Sequence, residues 1–202
     1  MKTAAAFVAC YLLGAVPIGL LVGKVYGIDI RRHGSGNIGA SNVLRMLGRG
    51  PAAVVFVGDT LKGLLAVRIC MALFPHDPLL VVAGGLLCVF GHNCSVFLRF
   101  QGGKGVATSL GVVIGIHPLI AAITFALWVS LVGIWRYISV ASIVASISVS
   151  VQMWLSDVIF DRPVPREYLA FAIAAALFIL IKHRSNVARL RAGCEPKFGQ
   201  KS

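Results

Sequence analysis

Gly105-Val106-Ala107-Thr108-Ser109-Leu110-Gly111-Val112-Val113-Ile114-Gly115-Ile116-His117-Pro118-Leu119-Ile120 opens an uncharged tract that runs on to Trp135. A helix that crosses a bilayer needs about 20 apolar residues, so this tract is too long for one comfortable crossing. Pro118 has no amide hydrogen and steers His117 away from helical geometry, which breaks the tract near its middle. Two short helices are therefore expected, and the choice sets the direction of everything downstream. A single merged helix would put Lys182, Arg184, Arg189, Arg191, Lys197 and Lys201 outside the cell. Two helices return that basic tail to the cytoplasmic side, where short positive segments belong.

The rest of the chain has the same character. Of 202 residues, 58% are hydrophobic and only 13% charged, and the mean hydropathy is +0.88, far more apolar than a soluble domain. The net charge of +12 does not point to nucleic acid, because the cations sit in short segments between apolar runs and not along one polar face. Cys10, Cys70, Cys88, Cys94 and Cys194 are odd in number and widely spaced, so they read as reduced packing residues. The five histidines stand apart without metal-ligand spacing.

Taken in order, Thr3 to Gly23 is one uncharged run, flanked by Lys2 ahead and Lys24, Arg31 and Arg32 behind. No small-residue cleavage site follows it, and the flanking charge puts the N-terminus outside. Residues 24 to 50 form a glycine-rich basic loop. Pro51 to Phe74 is the second span and carries Asp59, Lys62 and Arg68, which must face protein or water. Pro75-His76-Asp77-Pro78 makes an outer turn. Leu79 to Leu98, the two halves of Gly105 to Trp135, Ile138 to Ser156 and Tyr168 to Ile181 complete the set, with Asp157 to Glu167 as a second outer loop. The expectation is one domain, residues 1–202, an all-α membrane protein with seven transmembrane helices. Its N-terminus lies outside, its C-terminus is cytoplasmic, and its polar motif loops share the cytoplasmic side.

Those loops carry the chemistry. Arg99-Phe100-Gln101-Gly102-Gly103-Lys104-Gly105-Val106-Ala107-Thr108 sets three glycines around one lysine, a backbone able to turn its N–H groups toward an anion beside an ammonium. It is no nucleotide P-loop, since Gly-x-x-x-x-Gly-Lys-Ser/Thr is absent. A second loop, Gly34-Ser35-Gly36-Asn37-Ile38-Gly39-Ala40-Ser41-Asn42, is followed by Arg45. A third polar cluster runs from His183-Arg184-Ser185-Asn186 through Arg189 to Glu195. There is no carboxylate dyad, no Gly-x-Ser-x-Gly elbow and no carboxylate cluster for magnesium. Such residues bind phosphate and stabilise an oxyanion without a strong base or metal. Asp59 and Lys62, three apart, form an intramembrane pair. His92 fits two roles, orienting the glycine loop or packing as a satisfied core histidine.

These three segments, with Gly91-His92 and Arg136-Tyr137-Ile138-Ser139-Val140-Ala141-Ser142, resemble the signature segments of the bacterial integral-membrane acyl-phosphate:glycerol-3-phosphate acyltransferases. The resemblance runs from about residue 10 to the tail. It departs at Asn93-Cys94-Ser95, Gln101 and Cys194, where the family usually has an aromatic with a proline, lysine and threonine. It implies a seven-helix protein of the bacterial inner membrane that moves a fatty acyl group from acyl phosphate to the 1-hydroxyl of glycerol 3-phosphate. The products would be lysophosphatidic acid and phosphate, with no cofactor and no coenzyme A donor.

On that basis Lys104 and the Gly102, Gly103 and Gly105 backbone, helped by Ser35, are expected to hold acyl phosphate. Arg45, His183 and Asn186 are expected to hold glycerol 3-phosphate, and Asn37, Thr108 and Ser142 to act as orienting donors. Ser35, Lys104, His183 and Asn186 are the expected catalytic group. A small anion or phosphate transporter is the alternative, although the two halves of the chain do not match as transporter repeats do. A CDP-alcohol phosphotransferase would need clustered aspartates, whereas Asp29, Asp59, Asp77, Asp157 and Asp161 are scattered.

Overall fold

The computed structural model of the protein describes residues 1–158 and 163–200. Asp161, Arg162 and Lys201, which belong to the expected outer loop and basic tail, lie outside the described residues. Among the described residues there are ten α-helices and no strand: α1 (Lys2–Ala15), α2 (Ile18–Val25), α3 (Ala40–Leu47), α4 (Arg49–Leu73), α5 (Pro78–Asn93), α6 (Val106–Ile116), α7 (Pro118–Trp135), α8 (Ile138–Val158), α9 (Arg166–Lys182) and α10 (Arg184–Arg191).

The break expected at His117-Pro118 separates α6 from α7. His117 serves both helices. Its N–H donates to Val113 O at 2.8 Å to close α6, and its Nδ1 accepts from the Ile120 N–H at 3.4 Å to cap α7. The same chemistry divides the first apolar run, which the sequence suggested was continuous. Pro17 cannot donate the next helical hydrogen bond, so α1 ends at Ala15 and α2 restarts at Ile18. The first basic loop also holds more order than expected, a 3-10 turn at Ile30–Arg32 followed by α3.

By length and composition, Lys2–Val25, Pro78–Leu98, Pro118–Trp135 and Ile138–Val158 can each cross a membrane, and α9 with α10, bent by 55°, makes a fifth if the pair is one span. This is an all-helical membrane architecture with four to five apolar spans, where the charge pattern led us to expect seven. Two helices account for the difference. α4 has 25 residues but carries Asp59, Lys62 and Arg68. α6 has 11 residues, about 16 Å of helix against a hydrocarbon core of about 30 Å.

Between apolar helices in lipid there is little hydrophobic drive, so close backbone contact through small residues takes its place. Two crossings are built reciprocally in this way. In α4 and α6, a Cβ at Gly63 would lie 2.0 Å from Thr108 O, and one at Gly111 would lie 1.9 Å from Thr60 O. In α1 and α5, a Cβ at Gly14 would lie 1.9 Å from Cys88 O, and one at Gly91 would lie 2.2 Å from Tyr11 O. Cys10, Val67, Cys70, Cys88, Val112 and Phe171 fill the core beside these crossings. Cys10, Cys70 and Cys88 are free and buried, as the packing role requires, whereas Cys94 is half-buried and Cys194 is exposed, which corrects the packing role expected for Cys194.

Gly63→Ala and Gly111→Ala should each lower stability by about 1–3 kcal/mol, because the obstructing atom is backbone and the helices must separate. Thermal unfolding in detergent checks this. Gly133→Ala in α7, where nothing lies within 4 Å of the added carbon, should leave the midpoint unchanged or slightly raised.

Candidate active site

Three remote segments meet at one cavity of about 710 Å³. The first is folded around Asn42, which is 1% exposed. Its Nδ2 lies 3.2 Å from Ile30 O, 3.0 Å from His33 O and 2.9 Å from Asn37 O, and its Oδ1 accepts the Ser35 N–H at 2.9 Å. Gly34 and Gly36 have φ of +59° and +69°, which lets the chain coil tightly about that amide. Asn37 Oδ1 takes the Gly39 N–H at 2.9 Å at the start of α3. Ser35, Asn37 and Arg45 thereby reach the cavity wall.

The second segment leaves α5 and returns across its end. The Gly103 N–H donates to His92 O at 2.9 Å. A Cβ at Gly102 would lie 2.1 Å from His92 O, and one at Gly103 would lie 2.0 Å from His92 Nε2. Gly102 and Gly103 are thus required by close docking onto α5, and neither lines the cavity, which corrects their expected role as anion-facing amides. The Gly103 amide is already spent on the protein. Lys104 and Gly105 do line the cavity, and Gly105 has φ +79° ahead of α6. Thr108 is a second correction. It faces α4 at the Gly63 crossing, fully buried, while its neighbour Ser109 lines the cavity. One residue is about 100° of helix, enough to exchange the two faces.

The third segment begins at the C-terminal end of α9. His183 is buried, and its Nδ1 lies 2.8 Å from Ile179 O. A carbonyl can only accept, so Nδ1 carries a proton and Nε2 is the ring nitrogen left for a ligand. Asn186 accepts from Lys104 Nζ through Oδ1 and donates to Glu195 Oε1 through Nδ2 at 2.7 Å. Glu195 Oε2 takes Arg189 Nε at 2.8 Å. Burial raises the Glu195 carboxyl, but hydrogen bonds from Asn186 and Arg189 help to outweigh it, and its pKa falls below the ordinary value. Glu195 therefore stays an acceptor that orients Asn186. Burial draws the Lys104 ammonium down from 10.5 to about 8, with Glu195 opposing and Arg189 and Arg45 reinforcing the change.

Ser142 on α8 completes the expected set. It lines the cavity and its Oγ accepts from Trp128 Nε1 at 3.1 Å. The expected residues other than Gly102, Gly103 and Thr108 thus share one wall system. Arg49, Ser109 and Ser139, which were given no site role from sequence, also line it, as do Asp59 of the intramembrane pair and His92. Helical periodicity carried from Val113 to Ser109 was the available signal for Ser109. Away from the cations the lining turns apolar, with Phe56, Phe125, Trp128, Val149, Phe171 and Ile179. A cavity cationic at one end and apolar at the other fits an amphiphile with an anionic head.

Comparison with known proteins agrees with this shape. A family model described as glycerol-3-phosphate acyltransferase matches residues 4–193. A glycerol-3-phosphate acyltransferase of Trichlorobacter lovleyi is 46% identical over 188 residues, 93% of each chain. Glycerol-3-phosphate acyltransferase 2 of Moorella thermoacetica is 45% identical over 198 residues, 98% of each chain. Among solved structures, the glycerol 3-phosphate form of PlsY (YgiH), an integral membrane glycerol 3-phosphate acyltransferase, superposes with a TM-score of 0.90 at 39% identity, covering 98% of this chain and 96% of that one. Its lysophosphatidic acid form gives a TM-score of 0.88 at 38% identity with the same coverage.

The lowered Lys104 pKa carries a sign. Below about pH 8 the side chain is charged and attracts phosphate. Above it the empty site loses the proton, and affinity should fall toward about tenfold per pH unit. Titration calorimetry of the detergent-solubilised protein with inorganic phosphate from pH 6.5 to 9.5 checks this. Lys104→Arg, whose charge persists, should flatten the profile.

Proposed function

Because the chain belongs to the glycerol-3-phosphate acyltransferase family, we propose that it transfers a fatty acyl group from acyl phosphate to the 1-hydroxyl of glycerol 3-phosphate in the bacterial inner membrane. The observation that carries this is the single cavity in which Arg45, Lys104 and the His183–Asn186 segment face one another above an apolar lining. A transporter finds no support in the matches described above, which are acyltransferases.

The chemistry asks little of the protein beyond placement and charge. An acyl phosphate is a mixed anhydride with a good leaving group. The 1-hydroxyl oxygen forms a bond to the carbonyl carbon, the bond from that carbon to the phosphate oxygen breaks, and phosphate departs. With a second pKa of about 6, a phosphate oxygen of the donor is able to take the hydroxyl proton, so the reaction needs neither a protein base nor a metal. Lys104 with the Gly105 backbone and Ser35 holds the donor phosphate. Arg45 and Asn186 hold the acceptor phosphate, and Asn37 and Ser142 orient the reactants. His183 presents Nε2 to the acceptor, and in a neutral ring that atom accepts a hydrogen bond, which suits the glycerol hydroxyl better than a phosphate oxygen. Cations that neutralise both phosphates also stabilise the developing oxyanion. The lysophosphatidic acid formed would keep its chain against the apolar lining.

We further propose that the protein crosses seven times, N-terminus outside, with α6 spanning inside the bundle and α4 packed against it. Support comes from the charge distribution, from the tight α4–α6 crossing that covers α6, and from the exposed apolar row of Val54, Val57, Leu61, Leu65 and Ile69, with which α4 would meet lipid.

The test is purified protein with acyl phosphate and glycerol 3-phosphate, chelator present and coenzyme A absent. Lysophosphatidic acid and phosphate should form in equal amounts. Dependence on an acyl thioester donor or on a divalent metal would contradict the mechanism. Lys104→Ala and Arg45→Ala should each remove a charge-assisted hydrogen bond of about 1.5–3 kcal/mol, a loss of roughly ten- to a hundredfold in kcat/KM. Both should express and fold like the parent.

A further inference from the structure

A buried ionic cluster lies behind the glycine loop. Asp59 and Lys62 in α4 are each 3% exposed and His92 in α5 is 4% exposed. Lys62 Nζ is 2.7 Å from Asp59 Oδ1 and 2.7 Å from His92 Nδ1, and it donates to Val16 O at 3.2 Å at the break between α1 and α2. His92 Nδ1 is also 3.5 Å from Asp59 Oδ1. One ammonium thus ties three helices together at a single depth.

Burying an ion pair is weak evidence for stability, because desolvation consumes much of what the attraction returns. A well-packed apolar set would serve the fold as well, so the cluster calls for a different explanation. Its outlet is the loop. His92 O accepts the Gly103 N–H at 2.9 Å, and its ring lies where a Cβ on Gly103 would be 2.0 Å from Nε2. An ammonium donates to Nδ1, so the ring proton rests on Nε2, at the loop. Asn93, next in α5, extends the seat: a Cβ on Gly105 would meet its Oδ1 at 2.8 Å, and its carbonyl accepts from Lys182 Nζ at 2.8 Å. Asp59 and His92 line the same cavity as Lys104.

We propose that Asp59, Lys62 and His92 are positioning residues which fix the ring and carbonyl of His92 as the seat of the Gly102–Gly105 loop, and so hold the Lys104 ammonium at the phosphate. The role rests on the proposed function for its kinetic consequence, while the seating itself stands apart from it. Loss of the cluster should let the loop shift, and a misplacement on the order of 1 Å at a phosphate contact costs about ten- to a hundredfold in rate.

The test compares the parent with Asp59→Asn/Lys62→Met, which removes both charges together so that neither is stranded. Two readouts are taken: hydrogen exchange of the peptide spanning Arg99 to Gly105, and the KM and kcat for glycerol 3-phosphate and acyl phosphate. The expected result is a folded protein whose loop amides exchange faster, with a KM for phosphorylated substrate raised and kcat/KM reduced about ten- to a hundredfold. A folded double variant with an unchanged loop exchange rate and unchanged kinetics overturns the proposal, and so does faster exchange confined to α4. If the double variant fails to fold, His92→Asn, which keeps an acceptor for Lys62 but withdraws the ring, is measured in the same way and judged by the same two outcomes. If the parent shows no acyl transfer, the proposed function fails by itself, and the exchange readout still decides the seating.

Discussion

The connection from Lys104 through Asn186 to Glu195 and Arg189 is the interaction on which the site depends. It joins a loop following α5 to a segment following α9, two parts of the chain with no local reason to meet. A lysine whose charge burial disfavours is stable there only because an amide oxygen receives it. That amide is oriented in turn by a carboxylate held by an arginine. The chain leaves a polar, cationic end on a cavity whose remaining wall is apolar. A phosphate arriving at Lys104 would substitute for Asn186 as its acceptor, so the ammonium is already oriented for an anion.

Holding such a site in a thin bundle needs precise helix spacing, and glycine provides it. The reciprocal contacts of Gly63 with Thr108 O and Gly111 with Thr60 O bring α6 against α4, and those of Gly14 and Gly91 bring α1 against α5. α4 and α5 also meet one another, and α5 meets α9. The loop of Lys104 runs between the ends of α5 and α6, so its position is inherited from both crossings. Packing and catalysis are linked through backbone approach distances.

Much of this was legible in the sequence because it follows from strong local physics. The break at His117-Pro118, the helical character of each apolar run and the gathering of Ser35, Arg45, Lys104, His183 and Asn186 needed only proline sterics, hydropathy and motif chemistry. Other features were less accessible. Pro17 lies in a run whose hydropathy reads straight through it, and its effect depends on where the break finds new partners. Gly102 and Gly103 signalled an anion nest, but glycine is equally required where backbone passes over backbone, and only the approach to His92 separates the two. Ser109 reaches the cavity and Thr108 does not, through one residue of helical phase. Asn42 looked like one more polar loop residue, since its four-way hydrogen bonding is tertiary. The number of spans could not be read from hydropathy alone, because α4 carries Asp59 and Lys62, which pair inside the protein, and Arg68, which is exposed.

The central claim is that the first and third segments grip glycerol 3-phosphate together while Lys104 of the second waits for the donor, and a crystal structure of this chain with glycerol 3-phosphate bound tests it most directly. The account predicts the phosphate within hydrogen-bond distance of both Arg45 and Asn186, and the glycerol carbons directed toward His183. A phosphate seated elsewhere, or one that touches a single segment while Arg45 and His183 remain apart from it, would contradict the account.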